Sequence, residues 1–444
     1  MNGTMNDKRS PIHVVYGGAD RFSADTPSKL GRIALETLEE YVHDFVVFAR
    51  VFELKGADRL PQWAGTVPEL VSNAKEDPEK LRRDHFPVWF AWNVHRKTIE
   101  KLRSEPVEDF RIDFEDGYGF RSDEEEDRHA IATANELASA FANDAITAFS
   151  GFRVKSFGQE TYARATRTIE LFLGNLLERS SGRLPENFVV TLPKVTDAAQ
   201  VRDLCDRLDA IEKERGLSPD SIGVELMIET PESIVDRDGR FAVRRLVEAA
   251  EGRCTSVHFG AYDYTAALGI SASHQDIRHP ACNFARQAMQ AALAGTGVRL
   301  VDSVTTLMPV PVHKGETLSE DQRAKNKAAV HAGWLRHFRN VSASMADGFY
   351  QSWDLHPNQL VARYAAVYAF FLEEFDPQAA RLRAYIEKAT KATLTGNTFD
   401  DAASVAGLVN FFERGIACGA FSEAEVTSAT GATIDDLFRQ FRMA

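Results

Sequence analysis

The chain has 444 residues, with 65 acidic against 52 basic side chains and a formal net charge of −13. That balance disfavours nonspecific binding to nucleic acid or to an anionic membrane, so neither is expected as a partner. The length suits two or three domains, or one α/β barrel of about 250 residues with additions, and the four cysteines, Cys205, Cys254, Cys282 and Cys418, form no CxxC pair, which argues against a zinc site or a disulfide framework.

The opening MNGTMNDKRSPIHVV is polar, and no run of about 18 apolar residues occurs anywhere. Neither secretion nor membrane insertion is expected, and a reducing cytoplasm is the expected setting.

In chain order, eight runs read as buried strands: HVVYGGA (13–19), DFRIDFED (109–116), ITAFSGFRVKS (146–156), NFVVTLPKV (187–195), IGVELMIET (222–230), TSVHFGAYD (255–263), VDSVTTLMP (301–309) and GFYQSWDLHP (348–357). Helical patterns lie between them, as in SIVDRDGRFAVRRLVEAAEG (233–252). Strands alternating with helices indicate a covered parallel sheet, and eight such units predict an α/β TIM (β/α)8 barrel. Two regions exceed a plain barrel. Residues 20–108 form a long insertion after strand 1, and 376–444 form a helical C-terminal extension, so the expected domains are a catalytic barrel over 1–375 and the extension over 376–444.

Active sites of such barrels form where the strands end. Those ends place Asp113, Glu115 and Asp116 on the second strand, Arg153 and Lys155 on the third and Lys194 on the fourth. Glu229 ends the fifth, Asp263 the sixth, and Asp354, His356 and Asn358 the eighth. Alternation along a strand makes Asp113 face the same way as Glu115, and Arg153 the same way as Lys155. Glu229 and Asp263 on one rim are candidate ligands for a hard divalent cation, Mg²⁺ or alternatively Mn²⁺, which takes few protein oxygens and keeps positions open for substrate and water. The other readings are a helix cap or arginine partner for Glu229, an N-cap for Asp263, and a structural ion-pair network closing the barrel. Arg153, with its planar fork, is the candidate for a substrate carboxylate or enolate oxygen. Together these parts suit carbon–carbon bond making or breaking beside a carbonyl. A metal-free route is a Schiff base on Lys155 or Lys194, if either is desolvated.

An ordered series of motifs, DFEDGYG (113–119), GFRVKS (151–156), LPKV (192–195), MIETPESI (227–234), FGAYDYTAALG (259–269), RQAMQAALAGTGVRLVDS (286–303) and SWDLHPNQL (352–360), resembles the citrate lyase β-subunit-like branch of the HpcH/HpaI aldolase superfamily. GNTFDDAASVA (396–406) is a looser match to that family's C-terminal extension. The resemblance implies a Mg²⁺-dependent TIM barrel that cleaves or forms a β-hydroxy acyl-CoA or a related hydroxy keto acid, with an acyl-CoA or keto acid as small-molecule substrate. Carried over, Glu229 and Asp263 are the metal ligands and Arg153 the group on the substrate oxygens. Asp113, Glu115, Asp116 and His356 support them or hold water. It further implies a homo-oligomer, trimer or hexamer, in which Asp400 is an acid contributed to a neighbour's site. The sequence departs from the family pattern where Lys155 replaces an asparagine and where HQDIRHPACNFAR and VTTLMPVPVHKGETLS lengthen the loops around strand 7. The alternatives are a Claisen-type synthase resembling malate synthases on the same site, and a catalytically silent metabolite-binding barrel.

Overall fold

A computed structural model describes residues 9–61, 64–315, 317–391 and 402–433. Its centre is a closed parallel barrel in which each strand pairs with the next in sequence: β1 (His13–Gly18), β2 (Asp109–Asp113), β3 (Phe149–Arg153), β4 (Phe188–Leu192), β5 (Gly223–Ile228), β6 (Cys254–Phe259), β7 (Arg299–Asp302) and β8 (Gln351–Asp354). Pairing of His13, Val14 and Val15 with Ser352, Trp353 and Asp354 closes the ring. The TIM barrel expected from the sequence is therefore the observed fold. Helices cover the outside while side chains fill the inside, so β2, β3, β4 and β5 are buried at every residue.

The strands are shorter than the apolar runs that announced them. β6 stops at Phe259, and Asp263 sits on a short helix, Ala261–Ala267, rather than on the strand end. β2 stops at Asp113, and Glu115 and Asp116 lie in the following turn. That turn is tied down by Asp113, whose carboxylate accepts the backbone N–H of Glu115 (3.0 Å) and of Gly117 (2.7 Å). Gly117 is required by the close approach, because a Cβ there would come within 2.5 Å of Asp113 Oδ2.

The chain divides into two compact units, one of them containing the barrel and formed by Pro11–Thr37 and Leu102–Leu360. The other combines Leu38–Lys101 with Val361–Ala444 and Met1–Ser10, so much of the 20–108 insertion shares a unit with the C-terminal helices. Among its described residues it is helical and aromatic. Phe375 meets Phe421 at 4.8 Å and Phe412 at 5.8 Å, and Phe371 meets Phe411 at 5.3 Å between ring centroids. Arg82 forks onto Asp376 (2.7 and 3.1 Å) and lies over the Trp89 ring at 4.5 Å. In the same unit His95 meets the edge of Phe48 at 5.0 Å. Burial drives its imidazole down to about 4, against the opposing pull of Asp44. Among the described residues no helix is long and apolar enough to cross a membrane, and all four cysteines are buried.

Two outcomes follow. A Cβ on Gly151 of β3 would fall on the Val189 carbonyl oxygen of β4, a backbone atom that cannot swing aside. Gly151→Ala should therefore lower unfolding stability by at least about 2 kcal/mol in urea titration, at the upper end for overpacked cores. For His95 the folded pKa lies below the unfolded one, so the unfolded chain takes up the proton first. Its contribution is complete above about pH 6.5 and declines toward pH 4, by up to about 3 kcal/mol. His95→Phe should flatten that part of the stability–pH curve, and an unchanged slope would refute the assignment.

Candidate active site

The C-terminal ends of β2, β3, β4 and β5 bring most of the expected rim together. Arg153, at the end of β3, is buried and forks onto Asp113 through Nε (2.6 Å) and Nη2 (2.5 Å). Its Nη1 lies 3.1 Å from Glu115 Oε2 and 3.4 Å from the Met227 sulfur. A carboxylate has about four lone-pair positions, and Asp113 fills them with two backbone N–H groups and the fork. Asp113 therefore shapes the turn and the arginine, and has no place left for a water. For the same reason Arg153 cannot offer a substrate its fork, only the remaining N–H bonds.

Lys194 closes the next link. Its ammonium pairs with Glu115 and lies 3.1 Å from Asp116, while its backbone N–H donates to Glu229 Oε1 at 2.7 Å. That N–H is aimed by a left-handed backbone, φ +51°, which a lysine adopts rarely. Burial works against the Lys194 charge, but Glu115, Asp116 and Glu229 together raise its pKa. This is the opposite of what an imine-forming lysine needs.

Glu229 is the most informative group. It follows β5 directly, is 2 % exposed, and is pushed up to about 8 by burial and by the charges of Asp263 and Glu115, against Arg153. Oε1 takes the Lys194 amide, whereas Oε2 has no hydrogen-bond or ion-pair partner among the described residues. Gly260 makes room for it, since a Cβ there would lie 2.5 Å from Glu229 Cβ and 2.7 Å from Oε2. Asp263 is exposed. A buried carboxylate with an idle oxygen, crowded by like charge, fits a hard cation, and no softer donor is needed. Among the described residues no group of three or more His, Cys, Asp and Glu is placed to hold a metal. A cation at Glu229 and Asp263 would thus complete its shell with water and substrate, as Mg²⁺ commonly does.

Two expected residues stand elsewhere. Lys155 does not face the mouth with Arg153, because the strand has ended and its alternation with it. Its ammonium meets Glu126 (2.7 Å) and the Phe114 carbonyl (2.7 Å), and serves the surrounding wall. His356 follows β8, accepts the Asn358 N–H on Nδ1 (3.1 Å), and is kept toward its neutral form by burial. Asp400 lies outside the described residues.

Beneath the rim is a layer that the strand-end reading passed over. Arg111 of β2 bridges Asp109 and Glu225, reaching the latter through Nε and Nη2 at 2.7 Å each. Burial opposes ionisation of Glu225, yet Arg111 and His258 hold it well below the usual carboxylate range. The signal was present in VELMIET, where alternation turns Glu225, Met227 and Glu229 to one side.

If Glu229 and Asp263 hold a cation, Asp263→Asn and Gly260→Ala should each weaken Mn²⁺ binding by roughly 10- to 100-fold, the range for perturbed ligand support. Titration calorimetry on the folded variants checks this, and unchanged affinity in both would exclude the pair as ligands.

Among curated proteins none matches the chain. Solved structures similar to it include Haloferax volcanii malate synthase, as its magnesium/glyoxylate complex (16 % identity over 71 % of this chain and 74 % of that one, TM-score 0.41) and as its lead(II) complex (16 %, 75 % and 82 %, TM-score 0.40). A HpcH/HpaI aldolase/citrate lyase family protein from Burkholderia cenocepacia J2315 is similar at 13 % identity over 57 % of this chain and 90 % of that one, TM-score 0.32. Likeness at this level says nothing of what this chain acts on. One family model spans nearly the whole sequence, residues 3–443, and by it the chain belongs to the family described as Domain of unknown function (DUF6986).

Proposed function

We propose that this protein is a divalent-metal-dependent enzyme that makes or breaks a carbon–carbon bond beside a carbonyl, through an enolate of an acyl-CoA or a pyruvate-like acid. The observation that supports this most is Glu229, a buried carboxylate with an unpartnered oxygen, set near Asp263 and Arg153 at the mouth of the barrel. Glu229 and Asp263 would hold Mg²⁺, or Mn²⁺ in its place. When bound, the ion would supply Lewis-acid polarisation of a keto acid's oxygens and charge stabilisation for the enolate.

The protein's own groups do the rest. Asp113 and Glu115 fix the Arg153 guanidinium, so that its second Nη2 N–H would meet a developing oxyanion without reorganising. Lys194 holds Glu115 and Asp116 and orients Glu229 through its backbone. Asp116, exposed on that side, is the acid positioned to order a water. Lys155 adds no charge at the mouth, because Glu126 holds its ammonium. The departure from the family pattern at Lys155 therefore brings no unpaired charge to the mouth.

The test is to offer acetyl-CoA, propionyl-CoA or pyruvate with glyoxylate and Mg²⁺, and to read product masses with and without EDTA. An EDTA-sensitive adduct is expected. Free CoA among the products would make the enzyme a Claisen-type synthase, and an adduct of pyruvate would make it a free-acid aldolase. Asp263→Asn should abolish product while shifting stability by no more than about 0.5 kcal/mol, as exposed substitutions do. Full turnover in that variant would refute the metal assignment.

A further inference from the structure

Below the rim a polar chain crosses the barrel that the chemistry above does not use. Tyr16 of β1 places its hydroxyl 3.0 Å from Nδ1 of His258 on β6. His258 Nε2 lies 3.1 Å from Ser256 Oγ and 3.3 Å from Glu225 Oε1, and Ser256 donates its own hydroxyl to Glu225 at 2.6 Å. The tautomer follows. An ionised Glu225 only accepts, and the Ser256 proton already points at Glu225, so Nε2 must carry the imidazole hydrogen. Nδ1 then presents a lone pair to the Tyr16 hydroxyl. Ser256, His258 and Glu225 have no solvent exposure. Tyr16 is the one partly exposed member of this series, and the Arg153 guanidinium of the rim lies 4.9 Å over its ring.

Hydroxyl, imidazole and carboxylate in series are the parts of a proton relay. We infer that Tyr16 accepts the proton removed from the substrate carbon beside the carbonyl as it passes its own proton to His258, with Glu225 and Ser256 holding the imidazolium. The inference rests on the carbon–carbon reading above. The substrate C–H bond breaks and its electron pair stays in the enolate. A new O–H bond forms on Tyr16 as the old one breaks, and an N–H bond forms on Nδ1; no further reactant is required. Burial and Glu225 keep the phenol neutral despite Arg111 and Arg153, so acceptance and transfer proceed in step.

The experiment uses the full chain with Mg²⁺ and pyruvate or acetyl-CoA in D₂O, without an acceptor, and follows deuterium uptake by mass. Tyr16→Phe keeps the ring beneath Arg153 and removes only the hydroxyl. Exchange should fall by roughly 10²- to 10⁴-fold, the usual range for a lost general acid or base, with donor affinity unchanged. Exchange at the wild-type rate in Tyr16→Phe would overturn the relay and leave the carbon–carbon reading standing. ¹⁵N NMR of the histidines tests the relay without any substrate: His258 should be the Nε2–H tautomer, and an Nδ1–H or doubly protonated ring would overturn it. A wild-type protein that exchanges neither donor would remove the carbon–carbon reading and the relay together.

Discussion

Charges inside a closed barrel must be paired, and much of this site follows from how two arginines satisfy that rule. Arg111 and Arg153 sit on neighbouring strands, both buried, one layer above the other. An unpaired guanidinium there would cost several kcal/mol, so each is matched by two carboxylates. Asp109 and Glu225 serve the lower arginine, Asp113 and Glu115 the upper. The upper pairing then extends along the rim. Glu115 meets Lys194, and the Lys194 backbone meets Glu229. Along this rim, among the described residues, it is Glu229 Oε2 that is left without a partner. Chemistry is to be sought where this network leaves an oxygen unsatisfied.

The lower layer has a different character from the upper. Around Glu225, four donors from Arg111, Thr191 and Ser256, with His258 beside them, favour the ionised carboxylate in a buried layer. The upper layer mixes buried and exposed acids, and it opens to solvent through Asp116 and Asp263. A rigid, fully bonded floor under a partly open rim is the arrangement expected where groups must be held still while small molecules come and go.

Much of this was legible in the sequence. The barrel could be read because parallel strands buried on both faces appear as apolar runs, with helical patterns between them. The strand ends were less legible. GAYDYT continues the aromatic run past Gly260, so Asp263 read as strand although the chain had already turned into a helix. Glu225 lies in the middle of β5, where the surrounding apolar run carries no sign of the distant arginine that pairs with it. Lys155 could not be oriented, since alternation holds only while the strand lasts. The shared unit of insertion and C-terminal helices was invisible, because contacts such as Arg82 with Asp376 join residues almost 300 positions apart and leave no local pattern.

Position 194 exposes a conflict within the rim. Its left-handed backbone would suit glycine, and a lysine held there sacrifices on the order of 1 kcal/mol. Glycine, however, has no ammonium to hold Glu115 and Asp116. Selection for thermal robustness alone would therefore erode this site, drifting toward a sturdier chain with a loosened mouth. Libraries screened only for folding should lose Lys194 early, and its persistence under that regime would indicate that the side chain stabilises more than its backbone strains.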